Sequence, residues 1–299
     1  MCFSHFLRTF VLMNQRIQEL SILIPTYNYD PSRLVASLRH QAEQLVTDGL
    51  RYEIIVGDDG STTPVSPPCT ILRMERNLGR AAIRNALTRA SQYQWLLFLD
   101  SDIEVLDKDF LKKYLTHSGT QVVDGGLSIG NGSPANLRFL YEKAAEPQHV
   151  ATERRKHPYR SFRTTNFMIS RQTMLAHPFD ERFRHYGYED VLFGKVLQEN
   201  NIPIEHIDAS VVLTDFESNP VFVAKTEEGL RTLCQFRKEL YNYSTLLQRL
   251  SSLPSPAQFV IRVFHRIFSS PERRWLTGNH PFLPIFTLYR IGYFLSLKQ

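Results

Sequence analysis

FLDSD, residues 98–102, closes the apolar run Trp95-Leu96-Leu97 with two carboxylates separated by one small residue. The run 95–99 reads as a fully buried strand. Asp100 and Asp102 then stand at its carboxyl end, where open α/β sheets hold their ligands. In an extended segment, residues two apart point to the same side. Two carboxylates on one side repel each other unless a cation lies between them. A plainer reading is a turn that caps the following helix, and the motif alone does not decide between the two.

Working outward, the pattern around this strand repeats. LSILIP (20–25), YEIIVG (52–57), TILRM (70–74) and QVVDGG (121–126) read as further strands. Leu34, Val35, Leu38, Ala42 and Leu45 recur at helical spacing behind Asp30-Pro31, and Gly49 is a natural stop. Residues 79–92 and 108–117 read as helices. Strand and helix alternating over 20–126 predict a mostly parallel sheet with helices on both faces. Residues 127–163 read as irregular, with a basic group of Arg154, Arg155, Lys156, Arg160 and Arg163 that is either a substrate loop or a solvated charge run. NFMIS (166–170) and 202–213 are strand-like, the chain turns helical from about 226, and SSLPSPAQ (251–258) reads as a linker.

The chain has 299 residues, 42% hydrophobic and 22% charged, enough for one large domain or a domain with an appendage. Cys2, Cys69 and Cys234 show no close spacing, which points to a reducing compartment. CxxC and HExxH are missing, as are GxGxxG after the first strand and GxxxxGK[ST], so zincin, Rossmann dinucleotide and P-loop chemistry are not indicated. The net charge of +5 is a property of the tail: residues 231–299 hold ten Lys/Arg and two Asp/Glu. The totals of 35 and 30 leave 25 basic against 28 acidic residues in 1–230. The N-terminal MCFSHFLRTFVLM is a poor signal peptide, and Met13 offers a second candidate start. No run of about 18 apolar residues predicts a transmembrane helix.

Acidic clusters end several apolar stretches: Asp58-Asp59, Asp100/Asp102, Asp124 and Glu189-Asp190. Together they suggest a polar crevice along the carboxyl edge of the sheet. With SILIPTYN (21–28), IIVGDDGS (54–61), NLGRAAIRN (77–85), FLDSD (98–102) and YGYEDVLFG (186–194) in this order, the chain resembles the family 2 glycosyltransferases of the GT-A fold over roughly 20–230. The ending GNHPFLPIFTLYRIGYF (278–294) is similar to tails of bacterial surface-polysaccharide members.

The resemblance implies a GT-A domain at 20–230, between an N-terminal extension (1–19) and a basic, aromatic helical tail (231–299). It implies that Pro25, Thr26 and Tyr27 line a nucleotide pocket and that Asp59 accepts the uracil N–H. Arg80 and Arg84 lie four apart on one helix face and reach the nucleotide or diphosphate, although for Arg84 a structural salt bridge is an equal reading. Asp100 would contact ribose or metal-bound water, and Asp102 would ligate Mg²⁺ or Mn²⁺. Asp190 would be the general base of an inverting transfer, with Glu189 on an acceptor hydroxyl; the bland reading of this pair is helix capping. Gly125, Gly126 and Asn166 would shape the donor and acceptor sides. Many relatives carry a metal-binding His where this chain has Leu213, so either Asp215 or His206 substitutes or the metal is held more loosely.

The function implied is transfer of a hexose or N-acetylhexosamine from a UDP-sugar to a glycan or lipid-linked glycan in surface polysaccharide synthesis. Transfer to polyprenyl phosphate and non-catalytic sugar-nucleotide binding are the alternatives. In the tail, FVIRVFHRIF (259–268) reads as an amphipathic helix with Arg262, His265, Arg266 and Ser269 on one face. That predicts a cytoplasmic protein held on the anionic inner face of the cytoplasmic membrane, with packing on the catalytic domain or a second subunit as the competing use of the aromatics. The acidic crevice argues against a nucleic-acid partner.

Overall fold

The computed structural model describes residues 16–117 and 119–297. Most of the extension expected at 1–19, including Cys2 and Met13, lies outside the described residues. Its described end belongs to the fold: Ile17 is buried, and its N–H bonds the Leu115 carbonyl at 2.8 Å.

The sequence pattern becomes a seven-stranded sheet and a three-stranded one. The strands are β1 (Glu19–Thr26), β2 (Arg51–Asp58), β3 (Thr70–Arg73), β4 (Trp95–Leu99), β5 (Ile103–Glu104), β6 (Val122–Asp124), β7 (Leu127–Ile129), β8 (Asn166–Ser170), β9 (Ile204–His206) and β10 (Val211–Leu213). The large sheet runs β3-β2-β1-β4-β8-β6-β9, and the small one β5-β10-β7. β1 pairs parallel with both β2 and β4, whereas β8 runs antiparallel between β4 and β6.

Strand alternation distributes the apolar residues between two cores. Ile22, Ile24, Leu97 and Leu99 face Leu34, Val35 and Leu38 of the Ser32–Val46 helix. Leu23, Leu96 and Phe98 face Ala81, Ile83 and Leu87 of the Arg80–Ala90 helix. A strand covered on both faces needs a continuous apolar run, which is why 95–99 has no polar residue. Phe98 stacks on Phe167 of β8, with ring centroids 5.0 Å apart.

Two expectations need correction. Residues 127–163 are not irregular: they form β7, the helix Leu137–Ala145 and a short helix Ala151–Arg154 before an irregular stretch. SSLPSPAQ is not a linker: helices Thr245–Ser252 and Ser255–Leu276 leave only 253–254 between them. Pro256 sits in the first helical turn, where its missing N–H has no intrahelical partner to lose.

The C-terminal helices pack back on the sheet unit. Leu230, Leu233, Phe236 and Phe294 share a cluster with Phe183, and Phe222, Leu276 and Phe286 share one with Leu137. The last helix, Leu283–Ser296, meets Ser255–Leu276 where Gly292 lies against His265; a Cβ at 292 would come within 2.5 Å of the His265 Cβ. His265 is buried and bonds Glu272 at 2.8 Å, so it does not share the exposed face expected for Arg262 and Arg266.

Candidate active site

The carboxyl ends of β1, β2 and β4 open into a cleft of about 560 Å³. Pro25, Thr26 and Tyr27 line it, with Tyr27 47% exposed and offering a ring face. Thr26 is fixed by donating its hydroxyl to the Tyr29 carbonyl at 2.6 Å. Asp59 lies in the same wall, with Oδ1 accepting the Leu78 N–H and Oδ2 the Gly79 N–H, both at 2.9 Å. Each oxygen keeps a second lone pair. Burial pushes the Asp59 carboxyl above its ordinary value, against the lowering effect of those two N–H groups.

Gly79 allows the opposite wall to approach. Its φ is +94°, and a Cβ there would stand 2.8 Å from the Arg184 carbonyl. Arg184, His185 and Tyr186 close the cleft on that side, and Arg80 lies over the Tyr186 ring at 5.0 Å.

Arg84 settles into the salt-bridge reading. It is 0% exposed and donates to Asp100 Oδ1 at 2.8 Å and to Glu189 Oε1 at 3.3 Å. This ties the end of β4 to the start of the Glu189–Glu199 helix. The helix is aimed by Gly187 (φ +94°) and by Tyr188, a non-glycine residue in the left-handed region at φ +70°. Such a conformation is costly outside glycine and persists only where the surroundings enforce it. Glu189 is buried and bonded to Arg84, so it compensates that guanidinium's charge.

Asp190 projects into a second chamber, of about 390 Å³, that shares Arg80, Asp100, Asp102, Arg138, Tyr186 and Lys225 with the first. Its Oδ1 accepts the Val191 N–H at 2.8 Å. Burial, and secondly the neighbouring Glu189 charge, raise its carboxyl to about 6.

Asp102 is engaged by Arg138 at 3.4 Å, and Arg138 also pairs with Glu217. Lys225 reaches Glu217 at 3.2 Å. These three residues were not singled out from sequence; Arg138 is the second residue of a helix inside the segment read as irregular. Asp215 lines the same cleft. His206 does not: it is buried in β9, with Nδ1 against Arg154 at 2.8 Å and Nε2 against the Pro158 carbonyl at 2.9 Å. With both ring nitrogens occupied, it is no metal ligand. Leu213 is buried in β10, paired with Ile103.

Among the described residues, no three His, Cys, Asp or Glu side chains gather as a metal-holding group. Asp100 and Asp102 are nonetheless oxygen-only donors facing a cleft, as a hard cation that completes its shell from a diphosphate requires. The residues therefore fit a shared metal, not a cage.

Gly125 and Asn166 have structural duties, whereas Gly126 also lines a further space of about 480 Å³. Asn166 is buried; its Oδ1 accepts the Tyr114 hydroxyl at 2.6 Å, and its amide donates to the carbonyls of Gly126 (2.9 Å) and Ala209 (2.8 Å). A Cβ on Gly125 would lie 2.1 Å from the Tyr114 hydroxyl oxygen. Gly126 has φ +88° and lies under the Arg154 guanidinium. Asp124 is likewise removed from the nucleotide cleft, paired with Arg154 at 2.7 Å.

A family model described as glycosyl transferase family 2 matches residues 21–179. An uncharacterized glycosyltransferase of Haemophilus influenzae is 33% identical over 150 residues, 45% of this chain and 47% of that protein. The chain thus matches about half the length of that curated relative. The crystal structure of S. aureus TarS 1-349 aligns with a TM-score of 0.52 at 17% identity, covering 93% of this chain and 90% of that one. TarS 1-349 in complex with UDP gives 0.51 at 18%, with the same coverage. At such identity the likeness concerns the fold. The chain belongs to glycosyl transferase family 2 and has the GT-A fold with C-terminal helices.

Asn166→Ala should cost roughly 1–3 kcal/mol of stability, because it strands the Tyr114 hydroxyl and two buried carbonyls. Urea denaturation should register that loss. Nucleotide affinity of the folded variant, measured by calorimetry with UDP, should match the parent; a selective loss of UDP binding at unchanged stability would return Asn166 to the substrate site.

Proposed function

We propose that this family 2 glycosyltransferase moves a hexose or N-acetylhexosamine from a UDP-sugar to an acceptor hydroxyl with inversion, in surface-polysaccharide synthesis. The observation that carries this reading is the Asp100–Arg84–Glu189 bridge, which holds the donor cleft and the Asp190 chamber in one fixed relation. TarS, the fold neighbour, is known in complex with UDP, which supports the same nucleotide here. The transferase domain is taken as 20–230 and the basic tail as 231–299.

In this reading Tyr27 stacks on the uracil and Asp59 accepts its N–H. Arg80 lies toward the diphosphate. Asp102, with Asp100 beside it, would hold Mg²⁺ or Mn²⁺. When bound, that ion offsets charge on the departing diphosphate. Asp190 takes the proton from the attacking hydroxyl. A base with a carboxyl near 6 is ionised at neutral pH yet still basic enough to accept a proton in the transition state. One base opposite the leaving group suffices for a single in-line displacement.

The tail is proposed to rest on an anionic membrane surface. On Ser255–Leu276, Phe259, Val260, Ile267 and Trp275 are between 57% and 65% exposed, beside exposed Arg262, Arg266 and Arg274. The only acid of that helix, Glu272, is buried against His265. The free face is therefore apolar and purely cationic, as an interfacial helix on anionic lipid requires. No helix among the described residues is long and apolar enough to cross a membrane.

Donor turnover, read by mass spectrometry across a set of UDP-sugars, tests the activity directly. With the best donor and an acceptor, the rate should fall about tenfold per pH unit below about 6, because protonated Asp190 accepts nothing. Asp190→Asn should lower kcat by ~10²–10⁴-fold and remove that limb, with UDP affinity retained. Excess chelator in the same assay should abolish turnover. Wild-type transfer by Asp190→Asn would sink the hydroxyl acceptor and favour polyprenyl phosphate, which is already ionised.

For the tail, the full chain should sediment with phosphatidylglycerol vesicles and not with phosphatidylcholine ones. Phe259→Asp with Ile267→Asp should release it. A concentration-dependent dimer in solution that the same pair dissolves, without lipid binding, would assign the face to a second copy instead.

A further inference from the structure

Beyond Asp190 the second chamber continues into a third space of about 480 Å³, sharing Tyr141, Arg160, Arg163, Thr245 and Arg290 with it. Charge is segregated there. Arg160, Arg163, Arg249 and Arg290 line the space together with Arg154, and the only acid in its wall is Asp124, which Arg154 already neutralises at 2.7 Å. The nucleotide cleft differs: Asp59, Asp100, Asp102, Asp215, Glu217 and Glu228 balance its cations.

Part of the basic wall is rigid. Arg290 lies 5.3 Å from the Tyr141 ring centroid and 5.6 Å from that of Phe286, and it donates to the Tyr141 hydroxyl at 3.2 Å. Arg160 is steadied by one bond to the Asn242 carbonyl at 3.0 Å, and Arg163 by Glu142 at 3.6 Å. His149 is 6% exposed and lines the same space, with the Leu127 backbone beside its ring. Burial, then the nearby Arg163 charge, hold its imidazole down at about 4, so at neutral pH it is an uncharged donor-acceptor in the wall of that space.

We infer that the acceptor carries phosphate, bound by Arg160, Arg163, Arg249 and Arg290 in the chamber beyond Asp190, with the accepting hydroxyl left beside the base. This rests on the transferase reading above and narrows it to one acceptor chemistry. A guanidinium pairs with phosphate oxygens through parallel N–H donors, and several arginines around one space bind a multiply charged anion. The phosphoryl group has two sources: the diphosphate of a lipid-linked glycan, or the phosphodiester of a glycan backbone. Neither is the nucleophile in this reading: Asp190 lines the chamber that shares residues with both spaces, and the hydroxyl beside it attacks.

The test uses the full chain saturated with UDP and Mn²⁺, so that the diphosphate part of the donor cleft is filled. Calorimetric titration with inorganic pyrophosphate should then give a second binding event. Arg160→Ala with Arg249→Ala, both exposed and without ion pairs among the described residues, should weaken it about a hundredfold, near tenfold for each arginine, and leave UDP affinity unchanged. Arg262→Ala in the tail should change neither. Titration with glycerophosphoglycerol separates the sources: tighter pyrophosphate binding assigns the lipid diphosphate, tighter diester binding the glycan backbone. Normal UDP binding with no second event, or a second event indifferent to the double substitution, overturns the inference and leaves the transferase reading standing. Failure of UDP itself to bind overturns the transferase reading first.

Discussion

One buried guanidinium holds the site together. Arg84 sits with no exposure between Asp100 at the end of β4 and Glu189 at the start of a helix that is distant in sequence. A buried pair of this kind does not by itself indicate high stability, because desolvating the ions offsets much of their attraction. Removing one partner is another matter, since it leaves an uncompensated buried charge. The bridge therefore acts as a geometric constraint. It sets how far the donor carboxylates stand from Asp190, and it occupies Glu189 so that Asp190 remains the less engaged acid of the pair. The same proximity of Glu189 contributes, after burial, to the raised Asp190 carboxyl.

The sheet was readable because burial on both faces leaves a strong mark. Runs such as 20–25, 52–57 and 95–99 have no other economical explanation, and their ends place Pro25, Thr26, Tyr27, Asp59, Asp100 and Asp102 around one cleft. Asn166 was misread for a specific reason. A polar residue at a strand end beside Gly125-Gly126 looks like a ligand contact, yet its partners Tyr114, Gly126 and Ala209 come from three other segments. His206 has the chemistry of a metal ligand, but its nitrogens are taken by Arg154 and Pro158, 52 and 48 residues away. Side-chain saturation by distant partners leaves no local periodicity to read. SSLPSPAQ misled in the opposite direction, since Ser-Pro is equally at home in a loop and in the first turn of a helix.

Leu213 shows how a local substitution is absorbed. A histidine there would offer a third ligand to a cation at Asp102. The leucine instead is buried between the small sheet and the chamber wall, opposite Ile103. Positive charge at Asp102 comes from Arg138, which is shared with Glu217, and Glu217 also takes Lys225. The carboxylates are thus compensated by side chains that a diphosphate can draw away. In the proposed reading, Asp100 and Asp102 would hold a hard cation whose remaining oxygen ligands would come from the substrate.

The charge pattern divides the work of the two ends of the site. The cleft proposed for the donor mixes acids and bases, so a metal–diphosphate unit of low net charge would enter it without large repulsion. The far end offers arginines, one neutralised acid and an uncharged imidazole, so an uncharged acceptor would leave those cations facing each other at a cost that grows with desolvation. An anionic acceptor removes that repulsion when it binds. Asp190 sits where the two regimes meet. Burial and Glu189 raise its carboxyl against the Val191 N–H, Arg163 and Arg84, and that balance suits the proton-accepting role proposed for it.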